Sequence, residues 1–133
     1  MFNRQYNEIS KCRLNRAKSS LECAKMLIDN KLYNDSVNMS YDSILASIRS
    51  VLAYDCKDFK EHFKVIKYFH EKYINSNLFD KKYSNIIKNA FEINNKIEFE
   101  DFYVATKEIA IIQYNNALKF FGEVINCIEK ITK

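Results

Sequence analysis

The order of apolar and polar positions along the 133-residue chain predicts helices almost throughout. Between Asn34 and Asp55, apolar residues fall at Val37, Tyr41, Ile44, Ile48 and Val51/Leu52, at spacings of 4, 3, 4 and 3. That is the stripe of an amphipathic helix, with Asn34 and Asp35 placed as N-caps. Ahead of it, Leu14, Ala17, Leu21, Ala24 and Ile28 repeat at 3, 4, 3 and 4 and predict a first helix over 3–30. At roughly 1.5 Å per residue it spans about 40 Å. Asn30-Lys31 is its stop, and the short link that follows predicts an antiparallel helical hairpin.

Downstream, the polar run Cys56–Lys60 connects to a third helix over 59–75. Phe59, His62/Phe63, Ile66, Phe69/His70 and Tyr73 would face inward, with Lys57, Lys60, Lys64 and Lys67 as a basic outer stripe. Asn75-Ser76-Asn77 breaks it, and Asp80 caps a fourth helix over 81–97 whose inner face is Tyr83, Ile86/Ile87, Ala90 and Ile93. The acidic, aromatic EFEDFY, Glu98 to Tyr103, reads as a loop or kinked turn. A last helix over 104–131 carries Ile109, Ile112, Ala117, Phe120/Phe121, Val124, Ile128 and Ile131. Gly122 lies inside it at a cost of about 1 kcal/mol relative to Ala, which predicts close contact with another helix.

These elements predict an all-α fold, an up-and-down antiparallel four-helix bundle with an additional short helix. Composition agrees: there is no Pro and one Gly, so tight hairpin turns have almost no raw material. The length suits one domain, 1–133, which can bury roughly two-thirds of its unfolded surface and needs no disulfide or metal staple. The net charge of +4 is spread along the chain, compatible with phosphate attraction without arguing for it. Fifteen Asn, with many Lys and Ile, fit an A+T-rich coding sequence and carry no functional weight. Cys12, Cys23, Cys56 and Cys127 show no CxxC spacing and fit reduced thiols. With no signal-peptide run and no apolar stretch near the roughly 18 residues of a membrane span, the expectation is a soluble, cytoplasmic protein.

Chemistry concentrates around the second helix. Tyr41 and Asp42 lie beside its apolar stripe with Arg49 two turns on, and His62 follows thirteen residues later. His62 suits acid–base or phosphate work near neutrality; a histidine packed where the third helix meets the second is the structural alternative. Tyr41, Asp42 and Arg49 suit a nucleotide or RNA pocket, Arg through its fork of donors, or else an Asp–Arg pair that sets helix register. His62 and His70 are eight residues apart, not the four that would grip one metal from a helix face, so no metal and no cofactor are expected. No Gly-rich phosphate loop or nucleophile elbow is present.

Several segments, in order, resemble a HEPN domain (higher eukaryote and prokaryote nucleotide-binding) of the branch that accompanies minimal nucleotidyltransferases. Arg16-Ala17 with Leu21, Ala24 and Leu27 resembles that branch's first helix. Tyr33 and SVNMSYDSILASIRSVLA resemble its second, where the family tends to have two adjacent tyrosines; Asp42 stands for the second one here. KEHFKVIKYFHEKYI, with His62, resembles the third. FEINNKIEFEDFY resembles the end of the fourth, where Arg-Asn-x-x-Asp/Glu-Tyr is usual.

The resemblance implies a homodimer, a nucleotidyltransferase partner in a toxin–antitoxin or defence system, and a nucleotide or RNA as ligand. Many members are metal-independent ribonucleases using an Arg, four to six residues, then a His. Those positions fall on Asn94 and Glu98 here. Asn supplies no fixed positive charge, and a carboxylate repels phosphate, so the resemblance implies a non-catalytic binding module. Its groove would be lined by Tyr41, Asp42, Arg49, His62, Asn94 and Glu98. Phe99 stands where a family tyrosine could accept AMP, which leaves Tyr103 as the nearest hydroxyl. The rival expectation is an RNA-cleaving toxin that works through His62 and Arg49.

Overall fold

Helix α2, Tyr33–Leu52, is the axis of the protein: α1 (Arg4–Asp29), α3 (His62–Phe69), α4 (Lys82–Phe99) and α5 (Lys107–Ile131) all pack against it. The computed structural model describes residues 4–132, with side chains from residue 7, so the predicted helix start at residue 3 lies outside the described residues. Those residues are all-helical, arranged as the expected bundle with α3 as the short extra helix.

Two stripes explain why α2 can be surrounded. Val37, Tyr41, Ile44, Ile48 and Val51 are buried as the spacing predicts. One position earlier in each case run Ser36, Ser40, Ser43, Ser47 and Ser50, all buried as well. The Ser36 hydroxyl donates to the Ala24 carbonyl at 2.8 Å, and Ser43 to Ala17 at 2.9 Å. Small side chains on α2 thus sit against alanines of α1, and the rising and falling residue numbers make the pair antiparallel. Asn38 with Asn94, and Tyr41 with Phe91, show the same sense for α2 and α4.

The main core is aromatic at the far end of the bundle from the α1–α2 turn. Phe69, Phe79 and Phe120 are fully buried, with ring centroids 4.9–5.9 Å apart, and Tyr73 and Tyr83 close the group. A smaller core of Val37, Ala105 and Ala110 lies near the α1–α2 turn.

Several local expectations are corrected. Asn34 does not cap α2: its side-chain oxygen accepts from Ala105 N at 2.7 Å and its amide donates to Tyr103 O at 3.2 Å, tying the 100–106 loop down. At the end of α1 it is Lys31, not Asn30, that takes the left-handed conformation, φ 61°. The third helix starts at His62 rather than 59, so Phe59 is half-buried outside it, Lys57 and Lys60 precede it, and the basic stripe is not one helix face. Phe63 is exposed. Helix α4 runs on through Glu98 and Phe99, which shortens the predicted loop, and Phe99 and Phe102 stand exposed. The buried face of α5 is Ala110, Gln113, Ala117, Phe120, Val124 and Cys127, so Ile112 points outward. Gly122 is exposed, and a Cβ there would meet nothing within 4 Å; it marks no helix crossing. Asp80 does act as predicted, accepting from Lys82 N at 2.9 Å.

Candidate functional site

Tyr41 reaches from the middle of α2 toward the first residue of α3. Its hydroxyl lies 3.2 Å from His62 Nδ1, with ring centroids 5.6 Å apart. The residue is 4% exposed, whereas His62 is exposed. Burial foremost, and then the nearby Glu98 carboxylate, push the Tyr41 phenol well above its ordinary 10.0, with Arg49 pulling the other way. The phenol keeps its proton, and the imidazole tautomer sets which of the two groups donates in this bond. His62 is thus a hydrogen-bonded histidine where the third helix meets the second, as the structural alternative has it, with its ring exposed rather than enclosed in a core.

Helix α4 supplies the opposite wall. Asn94 is 5% exposed, and its amide donates to Asn38 Oδ1 at 2.9 Å; one turn later Glu98 is exposed. The two therefore differ in kind: one is a buried amide pair between α2 and α4, the other an exposed carboxylate close enough to act on Tyr41.

The Asp42–Arg49 pair weighed from the sequence does not form. Arg49 donates from Nε to Asp58 at 3.2 Å and from Nη2 to the Phe59 carbonyl at 3.1 Å, with its side chain 26% exposed. Arg13 of α1 joins this cluster, donating to the Arg49 carbonyl at 2.7 Å and pairing with Asp58 at 3.4 Å. Asp42 turns to α1 instead, accepting from Arg16 at 3.0 Å and from the Ser20 hydroxyl at 2.6 Å. Tyr41, His62, Asn94 and Glu98 thus share the α2–α3–α4 side, Arg49 holds the 58–59 link, and Asp42 lies on the α1 seam.

Burial raises the Asp42 pKa, but the hydrogen bonds from Arg16 and Ser20 and the charges of Arg16 and Arg49 outweigh it and hold the carboxyl below 3.8. A depressed folded value means stability that is fully present above the unfolded value and lost as pH falls through the folded one. Asp42→Asn is therefore expected to flatten the fall in melting temperature between about pH 5 and pH 2. An Asn variant whose acid limb is as steep as the parent's would refute this role.

Sequence reasoning missed Asn38, Arg16, Ser20 and Asp58. Asn38 was legible in principle: it sits one turn before Tyr41 and Asp42, a polar residue beside the apolar stripe. Asp58 lies in an irregular link, where no periodicity marks it.

The HEPN domain model matches residues 10–131, nearly the whole of the chain and every element just described. The chain belongs to the HEPN family. A protein of Methanocaldococcus jannaschii named "Putative toxin MJ0605" is similar to it, 28% identical over 99 residues, 74% of each chain. Within this HEPN fold, the places read from the resemblance as the ribonuclease Arg and His are the buried Asn94 amide and the exposed Glu98. No helix among the described residues is long and apolar enough to cross a membrane.

Proposed function

We propose that this HEPN chain, acting over 1–133 as one domain in the cytoplasm, is a non-catalytic binding module of a toxin–antitoxin or defence system. It pairs with a second copy of itself and with a minimal nucleotidyltransferase. The α2–α3–α4 side that carries Tyr41, His62 and Glu98 over the buried Asn94, with Arg49 at the 58–59 link and Asp42 on the α1 seam, takes a nucleotide or an RNA segment. The observation that carries the reading is Asn94: a side chain locked to Asn38 and shut from solvent cannot present charge to a phosphate, and Glu98 beside it would oppose one. The exposed imidazole, oriented from behind by Tyr41, suits hydrogen bonding to a base or ribose hydroxyl. The toxin name of the archaeal relative supports the class of system.

A second reading has its own support. His62 is exposed and oriented, the posture of a general base, which favours an RNA-cleaving toxin. Arg49 is a weaker part of it, since Asp58 already engages the guanidinium. The deciding experiment has two arms. The tagged chain is captured at low salt from the cells that make it, and purified protein is incubated with RNA beside His62→Ala. The binding-module reading expects a stoichiometric nucleotidyltransferase and no cleavage by either protein. Cleavage by the parent that His62→Ala abolishes, with the melting temperature kept, overturns it in favour of the toxin.

A further inference from the structure

The widest departure from regular helix lies at the end of α3. There His70–Ile74 form a π turn, closed by the Asn75 amide donating to the His70 carbonyl at 3.0 Å. The extra residue in that turn lets Phe69, Tyr73 and Ile74 all reach the core while His70 is swung toward α4. His70 Nδ1 then lies 3.2 Å from the Ser84 hydroxyl of α4. Between the two helices a cavity of about 320 Å³ remains open on one side, its walls formed by Phe63, Ile66, Ile74, Ile87 and Phe91. That is near the lower end of the size range for small-molecule sites, roughly 300–1,000 Å³.

Polar groups meet this cavity in two places only: the His70–Ser84 pair, and a rim of Lys67, Lys88 and Glu71. Neither lysine has an ion-pair partner among the described residues, so two unpaired ammonium groups face one carboxylate at the mouth. An apolar chamber with an excess of positive charge at its lip selects a ligand with an apolar body and one anionic head. Two features separate the cavity from a chance gap in packing. Phe63, 57% exposed, and the partly buried Ile66 and Phe91 line it with apolar surface. The π turn, a feature often found at functional positions, forms its wall.

We infer that the cavity between the π turn and α4 binds a small apolar carboxylate. The body enters between Phe63 and Phe91, and the carboxylate stays at the rim near Lys67 and Lys88. His70 and Ser84 offer a second polar contact from the wall. Phe91 also touches Tyr41, with ring centroids 6.3 Å apart, so the chamber adjoins the Tyr41–His62 groove without sharing its polar groups. The inference stands independently of the function proposed for that groove.

The test uses the full chain and 2-naphthoate, followed by calorimetric titration, with 2-naphthylmethanol as the uncharged ligand of matching shape. Saturable one-site binding of the acid is expected, with the alcohol weaker. Lys67→Gln with Lys88→Gln should weaken the acid by about five- to tenfold, the effect of two exposed charge contacts, while leaving the alcohol unchanged. Ser84→Leu, which fills the chamber, should abolish binding of both, whereas Ser84→Ala should retain it. Competition by decanoate would assign an aliphatic acid, and its failure an aromatic one. Absence of saturable binding, equal binding of acid and alcohol, or binding that survives Ser84→Leu in a folded protein overturns the inference.

Discussion

Phe120→Ala is expected to lower stability by about 3–5 kcal/mol, the range for removing a fully buried aromatic ring from a core that cannot collapse around the gap. For a chain of this size that corresponds to a loss of roughly 10–15 °C in melting temperature. The ring is fully buried and lies 5.7–5.9 Å from the rings of Phe69, Phe79 and Tyr83, so α5 meets the end of α3, the loop before α4 and α4 itself through one side chain. Phe121→Ala, at a half-buried neighbour, is the control and should cost clearly less. Urea unfolding of the three proteins measures both. A loss under about 1 kcal/mol for Phe120→Ala would mean that the aromatic group repacks freely, and that the far end of the bundle is not organised around it.

The second large effect is expected at Asp55, in the 3₁₀ turn Ala53–Asp55 that ends α2. Its carboxylate accepts from Tyr73 at 2.6 Å, from Tyr68 at 3.3 Å and from the Lys72 ammonium at 2.7 Å, and so ties that turn to the segment containing the π turn. Burial first, then Asp55 itself, push the Tyr73 phenol far up, so it remains a donor across any working pH. Asp55→Ala leaves the buried Tyr73 hydroxyl without its acceptor and removes a charge-assisted bond, together about 2–4 kcal/mol. Tyr73→Phe removes one donor while Tyr68 and Lys72 still serve the carboxylate, and should cost about 1–2 kcal/mol. The double variant should then cost less than the sum, because both changes break the same bond. Additive losses would show that the two groups act separately and would remove the lock from the account of how the π turn is held.

How much of this was legible beforehand depends on what sets each feature. The helices and the central place of α2 follow from spacing alone, since burial of one face is a local property of the sequence. Asp80 as a cap was legible for the same reason. The π turn was not: His70 to Ile74 continue the apolar rhythm, and the extra residue appears only because three neighbours compete for the core. Partner choice among charged groups was equally hidden. Asp42 and Arg49 share a helix and a suitable spacing, yet Arg16 on another helix and Asp58 in the irregular link lie closer to them in space. Asn34 illustrates the same limit, because a residue fit to cap a helix proved more useful as a tie to the 100–106 loop. Gly122 misled by its rarity: a Cβ at the one glycine of the chain would meet nothing within 4 Å. In the candidate site, Tyr41 and His62 were brought together as the sequence suggested, but the amide partner of Asn94 had to be seen.

The serine stripe of α2 changes which substitutions the protein can absorb as its sequence drifts. Ser36 and Ser43 reach the α1 backbone directly, so the gap between the two helices is set by a side chain of two heavy atoms. Alanine preserves that gap and gives up one hydrogen bond, on the order of 1 kcal/mol. Threonine or valine adds bulk that must push the helices apart, a change that tight cores resist. Along this seam, size rather than polarity decides what survives. The most water-like face of the central helix is thereby the one with the least room to vary.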